Sequence, residues 1–166
     1  ARAARARSRA RIVAVTGSVG KTGSKEALRL VLGREGETHA SAASYNNHWG
    51  VPLSLARLPE AAKYAVFEIG MNHAGEITPL TGLVRPHVAL VTTVAPVHLE
   101  FFGTVEAIAE AKAEIFSGLG EGGVAVVNRD IGTFDLLRQR AEAAGARVET
   151  FGESAQADAR LDDVML

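Results

Sequence analysis

The sequence predicts an α/β fold, a mostly parallel sheet with helices on both faces, of the P-loop nucleotide-binding kind. Three observations predict it. Short β-branched or apolar runs alternate with helix-period segments along the chain. Several of these runs are continuously apolar, as strands buried on both faces are. The first of them, residues 12–16, opens into a glycine-rich turn and then a helix, the order in which a phosphate loop is built.

In chain order, residues 12–16 read as a strand. Residues 21–32 read as a helix with Ala27, Leu28, Val31 and Leu32 on one side. A short helix follows at 50–58, a strand at 64–69 and a helix at 76–84. The next strand, 88–94, is bounded by Pro86 and Pro96. A long helix is expected over 104–119 with Thr104 as its N-cap. Then come a strand at 124–128, a helix at 133–144 and a last clear strand at 147–151. From 158 an apolar-polar alternation begins with nothing after it to pair with. The arginine run at the start enters the first strand without a turn. Both ends read as edges of a piece of a larger chain: a basic linker or domain edge over 1–11, and a P-loop ATP-binding domain over 12–166, truncated at its C-terminal side.

A chain of 166 residues with 47% apolar content fits one domain with a real core. No apolar stretch is long enough to cross a membrane, and no apolar signal-peptide region opens the chain. The absence of cysteine excludes disulfides and thiolate metal sites, and the composition suits the cytoplasm. Charge is uneven. Arg2, Arg5, Arg7, Arg9 and Arg11 crowd the start, and the other 13 basic residues face 19 acidic ones. A run of this kind reads as a solvated linker or helix end. Without interleaved aromatics, and ahead of an acidic chain, it gives no sign of nucleic-acid binding.

The loop is Thr16-Gly17-Ser18-Val19-Gly20-Lys21-Thr22. Gly17 and Gly20 permit backbone angles that turn successive N–H groups toward one anion. The helix N-terminus adds free donors. Lys21 can reach the β- and γ-phosphates, and the Thr22 hydroxyl is placed for Mg²⁺. The general pattern asks for glycine where this chain has Val15. By itself the loop says nucleotide phosphate and nothing about an acceptor.

Three further residues are out of place chemically. Glu68 lies near the carboxyl end of an apolar strand, where a carboxylate is costly unless it is paired or binds a cation; the plain alternative is a strand end reaching solvent. His98 follows the strand 88–94 and shares that sheet edge; a lone loop histidine is otherwise unremarkable. Lys112 interrupts the stripe Ile108, Ile115, Phe116, Leu119 on its helix. It either snorkels out or is buried with a lowered pKa, its neutral amine open to CO₂ and so to a carbamate that can ligate Mg²⁺.

With these residues in view, the sequence resembles the Mur ligases, and within them the D-alanyl-D-alanine-adding type. The phosphate loop with Lys25-Glu26 is the first matching segment. Asn46-Asn47 with Gly50-Val51-Pro52 is the second, and Glu68-Ile69-Gly70-Met71-Asn72-His73 the third. His98-Leu99-Glu100, Ala111-Lys112-Ala113-Glu114 and Asn128-Arg129-Asp130 follow in the expected order. The match runs over nearly all of 11–166. The chain departs at Val19, Gly23-Ser24 and His48-Trp49.

The resemblance implies an ATP-dependent ligase of peptidoglycan precursor synthesis that joins D-Ala-D-Ala to UDP-MurNAc-tripeptide through an acyl phosphate. It implies that Gly17, Ser18, Val19, Gly20, Lys21, Thr22 and Asn128 hold ATP. Thr22 and Glu68 would bind one Mg²⁺, and His98 with carbamylated Lys112 a second. Lys21, His98 and Lys112 would serve catalysis, and Asn46, Asn47, Asn72 and His73 would face substrate. It also implies N- and C-terminal domains that are not in this chain, without which it is expected to be inactive. Another Mur-like step, a folylpolyglutamate synthase and a non-ligase P-loop module remain open alternatives.

Overall fold

A computed structural model describes residues 1–97 and 99–162. Within them seven strands form one sheet in which every pairing is parallel. In chain order the elements are α1 (Arg2–Arg7), β1 (Arg11–Thr16), α2 (Lys21–Gly33), β2 (Thr38–Ala40), α3 (Gly50–Ala56), β3 (Tyr64–Glu68), α4 (Ile77–Val84) and β4 (Val88–Val91). They continue with α5 (Leu99–Phe102), α6 (Val105–Ala113), a 3-10 turn (Glu114–Gly118), β5 (Val124–Asn128), α7 (Phe134–Ala143), β6 (Arg147–Gly152) and β7 (Ala159–Arg160). No described helix is long and apolar enough to cross a membrane.

The strand order is β2-β3-β1-β4-β5-β6-β7. The chain leaves β1 to one side, returns through β3 beside it, and continues on the other side with β4. Such a reversal opens a crevice at the carboxyl ends of the central strands. Register fixes what lies there: Val15 is opposite Glu68, Thr16 opposite Val91, and Val91 opposite Val127. The ends of β1, β3, β4 and β5 therefore deliver the phosphate loop, Glu68, Thr92 and Asn128 to one edge. Beneath that edge the core is packed from Ile12, Ala14, Phe67, Ile69, Val91, Ile108, Ile115, Phe116 and Leu137, all essentially without solvent contact. Burying an aliphatic or aromatic side chain of this size contributes about 1.5–3 kcal/mol, so the edge rests on a rigid floor.

The Thr104 side chain caps α6, accepting from the Ala107 N–H at 3.1 Å. The long helix expected from there to residue 119 is shorter: it tightens to 3-10 after Ala113. The Thr81 hydroxyl there takes the Ile115 carbonyl at 2.9 Å, and Gly118 lies so close to Thr81 that a β-carbon would fall 2.6 Å from its backbone oxygen. The strand expected over 88–94 ends at Val91, where the chain turns to meet the loop.

The expected stripe on α2 is half right. Leu28 and Leu32 are partly buried, but Ala27 is exposed and Val31 is 67% exposed. The inward positions are Lys21, Lys25, Leu28 and Leu32, and Lys25 is the helix's one fully buried residue. Apolar content pointed one residue away from the face that packs. Of the arginine run, read as a solvated linker or helix end, Arg2–Arg7 form α1, which leaves Arg2 and Arg7 exposed, buries Ala4 and packs on α3 and α4. Arg5 donates to the Val84 carbonyl at 2.7 Å and the Arg85 carbonyl at 2.9 Å, closing the end of α4. The alternation after 158 does find a partner: β7 pairs with β6.

Candidate functional site

The loop turns on two glycines, with φ +148° at Gly17 and +86° at Gly20. Gly17 packs against the end of β4, where a β-carbon would sit 1.9 Å from Thr92 Oγ1. Thr92 braces the loop from behind. Its hydroxyl donates to the Val19 carbonyl at 2.6 Å, and its N–H donates to the Thr16 carbonyl at 3.0 Å. Ser18 fastens the loop to the chain leaving β4. Its N–H donates to the Thr93 carbonyl at 2.9 Å, and its hydroxyl exchanges hydrogen bonds with Ala95. Ser18 is thus a clamp, and the successive N–H groups of Val19, Gly20, Lys21, Thr22 and Gly23 have no protein acceptor among the described residues. Free donors in a row at a helix N-terminus make an anion cradle.

Lys21 crosses the cradle and donates to the Gly17 carbonyl at 2.8 Å. Burial lowers its pKa, and the Glu68 carboxylate opposes that shift. The Thr22 hydroxyl donates to Glu68 Oε2 at 2.9 Å, and Asn46 Nδ2 donates to Oε1 at 2.7 Å. Glu68 is 1% exposed, so it does not reach out to solvent. The donor set suits a hard cation. In an octahedral shell with oxygens at ~2.1 Å, neighbouring ligands stand ~3.0 Å apart, the separation that Thr22 and Glu68 already have.

Asn128 stands behind the loop. Its Nδ2 donates to the Thr92 carbonyl at 3.1 Å and its Oδ1 accepts from the Asp130 N–H at 2.9 Å. The amide is therefore committed to the brace behind the phosphate cradle.

A cleft of about 550 Å³ begins at Lys21. Asn46, Asn47, Asn72 and Glu76 are among its walls. Asn46 is fixed by its bond to Glu68 and by the Gly70 N–H, which donates to its carbonyl at 2.8 Å. Asn47 Oδ1 caps the start of α3 through the Gly50 N–H at 2.9 Å. The Glu76 carboxylate accepts from the Asn72 N–H at 2.7 Å and meets His73 Nδ1 at 3.2 Å. His73 is exposed, with its ring edge toward Phe101, and is not among the residues lining the cleft.

Lys112 is 4% exposed and has no hydrogen-bond or ion-pair partner among the described residues, so it does not snorkel. Burial pushes its pKa down to about 8, and the Lys21 cation adds to the shift. His98 lies outside the described residues. The structure therefore brings together Lys21, Thr22, Glu68, Asn46 and the loop, while Lys112 is buried on α6. It leaves Asn128 behind the loop and His73 outside the cleft.

Three residues of the site had no role assigned from sequence. Thr92 braces the loop. Lys25 is buried under the segment that carries Asn46, donating to the Ser41 carbonyl at 2.9 Å and the Ala43 carbonyl at 2.6 Å. Glu114 Oε2 accepts from the Ile77 N–H at 3.1 Å and from the Thr78 N–H and hydroxyl at 3.0 Å each, capping α4. The available signal was local for two of them: a second lysine one turn after the loop, and an acid two residues after Lys112.

Comparison with known proteins agrees with this geometry. The family model described as Mur ligase middle domain matches residues 15–165. The UDP-N-acetylmuramoyl-tripeptide–D-alanyl-D-alanine ligase of Escherichia coli is 50% identical over 121 residues, covering 73% of this chain and 27% of that protein. A crystal structure of MurF from Acinetobacter baumannii superposes with a TM-score of 0.90 at 33% identity, covering 99% of this chain and 35% of that one. MurF ligase from Thermotoga maritima, solved in complex with ADP, superposes with a TM-score of 0.81 at 32% identity, covering 92% of this chain and 35% of that one. The chain thus spans about a third or less of the length of the relatives it matches. A strand-loop-helix cradle, an acid on the neighbouring strand and a model match over nearly the whole length agree, and the chain belongs to the Mur ligase middle-domain family.

Proposed function

We propose that this chain is the ATP-binding part of an ADP-forming ligase of peptidoglycan precursor synthesis. The reaction joins D-alanyl-D-alanine to UDP-N-acetylmuramoyl-tripeptide. The observation that carries the proposal is the cleft that opens directly beside Lys21 and is walled by Asn46, Asn47 and Asn72. A plain nucleotide hydrolase needs room only for water there, whereas a ligase needs room for a carboxylate-bearing acceptor. The activity of the Escherichia coli relative and the ADP held by the Thermotoga protein support the same reading.

In the proposed reaction an oxygen of the acceptor carboxylate attacks the γ-phosphorus of ATP. The bond to the β,γ-bridging oxygen breaks, giving an acyl phosphate and ADP. The amine of the dipeptide then attacks the acyl carbon, phosphate leaves with its bonding pair, and the amine gives up a proton. The obstacle is charge, since a carboxylate must approach a triphosphate. The free N–H groups from Val19 to Thr22 and the Lys21 ammonium offset it from the protein side. Thr22 and Glu68 would hold one Mg²⁺, which when bound supplies charge neutralisation between the phosphates. Lys112 as a carbamate would present an anion where its free ammonium repels a cation, with His98 as the second ligand. Asn46 and Asn72 would orient the acceptor, and Asn128 supports the nucleotide by holding Thr92.

The test uses the full-length protein. ADP release should require the nucleotide-linked tripeptide, and amide product should require the dipeptide as well. Brisk ADP release with no carboxylate acceptor would sink the ligase reading.

A further inference from the structure

Lys25 is among the largest fully buried side chains of the described residues. An ammonium has three N–H donors, and three oxygens meet this one: the Ser41 carbonyl at 2.9 Å, the Ala43 carbonyl at 2.6 Å and Glu26 Oε1 at 3.0 Å. Two of the three belong to the segment between β2 and α3. That segment is under strain, because Ala43 sits at φ +46°, where a residue with a β-carbon is disfavoured. Three residues further on, Asn46 donates to Glu68 and lines the cleft. Glu68 in turn holds Thr22, one turn ahead of Lys25 on the same helix.

The contacts close a ring: α2, Lys25, the 41–46 segment, Asn46, Glu68, Thr22 and α2 again. We propose that Lys25 is a positioning residue for the acceptor side of the site. It pins the strained segment so that Asn46 reaches Glu68 and the cleft wall stands at a fixed distance from the phosphate loop. This inference rests on the proposed function for the identity of the acceptor. The ring itself does not depend on it.

A lysine that merely filled the core would be replaceable by an apolar side chain of similar length, and substitutions at positions it does not touch would add independently. A positioning lysine couples to Asn46, which it does not contact. The experiment is a double-mutant cycle in the full-length protein with Lys25→Met, Asn46→Ala and the pair. Lys25→Met is expected to lower kcat/KM for the tripeptide acceptor at least about tenfold, change Mg²⁺–ADP affinity by less than about twofold, and add less than about twofold once Asn46 is already alanine. Hydrogen exchange should rise in residues 41–47 and stay unchanged in β1. Additive effects, or exchange unchanged in 41–47, overturn the proposal. If Lys25→Met does not fold, Lys25→Gln carries the same cycle. Loss of folding in both overturns the proposal in favour of a purely structural lysine. A wild-type protein that makes no amide refutes the ligase reading instead, and the exchange measurement still decides the role of Lys25.

Discussion

Thr22 and Glu68 are 46 residues apart in sequence and 2.9 Å apart in space. Their meeting follows from one register, Val15 opposite Glu68, and from the helix that starts five residues after β1 ends. Replacing Glu68 by Gln keeps the shape and removes the charge. Ligase activity of the full-length protein should fall about 100-fold or more, as expected for loss of a metal-binding charge at a phosphoryl-transfer site. The Mg²⁺ concentration for half-maximal rate should rise. Thermal stability should hold or increase, since a buried acid is removed. Unchanged Mg²⁺ dependence would remove Glu68 from the metal site.

Gly17→Ala meets two obstacles, a clash with Thr92 and a backbone angle suited to glycine. It should cost about 1–3 kcal/mol in denaturant unfolding and abolish detectable ADP binding. Combining it with Thr92→Ala relieves only the clash, so binding should stay lost while part of the stability returns.

Lys112 gives a pH signature. Its ammonium is disfavoured in the folded state, with a pKa of about 8, while the unfolded chain keeps the proton to about 10.4. Between those values the unfolded state binds more protons, so this group makes stability rise with pH across that window. Below about pH 8 the penalty is fully present, at most on the order of 3 kcal/mol. Lys112→Met should therefore be more stable than the parent at pH 7, lose the rise above pH 8, and be inactive as a ligase. Equal pH-stability curves for the two proteins would show that the lysine is not desolvated.

The same amine should trap CO₂. In ¹³C-bicarbonate the full-length protein should show a carbamate resonance that is absent from Lys112→Met and strengthened by Mg²⁺ with ADP. A spectrum identical for both proteins removes the carbamate from the proposed mechanism.

Glu114→Ala should cost about 1–3 kcal/mol, because the Ile77 and Thr78 N–H groups lose their acceptor. Activity should drop by more than the stability loss explains, since Lys112 is on the preceding turn. Glu114→Gln, which keeps an acceptor oxygen, should recover most of the stability in the same unfolding assay.

Much of the fold was legible because its signals are local. The loop declares itself through glycines, lysine and threonine between a β-branched run and a helix. Lys112 declared itself by breaking a stripe of fixed period, and Thr104 by standing ahead of one. The illegible parts depend on tertiary partners. β2 is three residues long and exists through its pairing with β3. The inward face of α2 is set by the carbonyls of the 41–43 segment, so a lysine is buried while Val31 faces out. The halt of α6 at Ala113 is set by the contacts of Thr81 with the following turn. The bonds of Asn128, an ATP contact by the resemblance, are also tertiary: it gives one amide N–H to Thr92 and accepts the Asp130 N–H.

Ser18 ties the phosphate loop to Thr93 and Ala95, on the segment that runs from β4 toward His98. Loop and segment are therefore one mechanical piece, joined by three hydrogen bonds. When an anion draws in the amides from Val19 to Thr22, the pull is transmitted along the β4 exit rather than absorbed by a slack turn. Filling of the nucleotide cradle is felt at Thr93 and Ala95, beyond the end of β4.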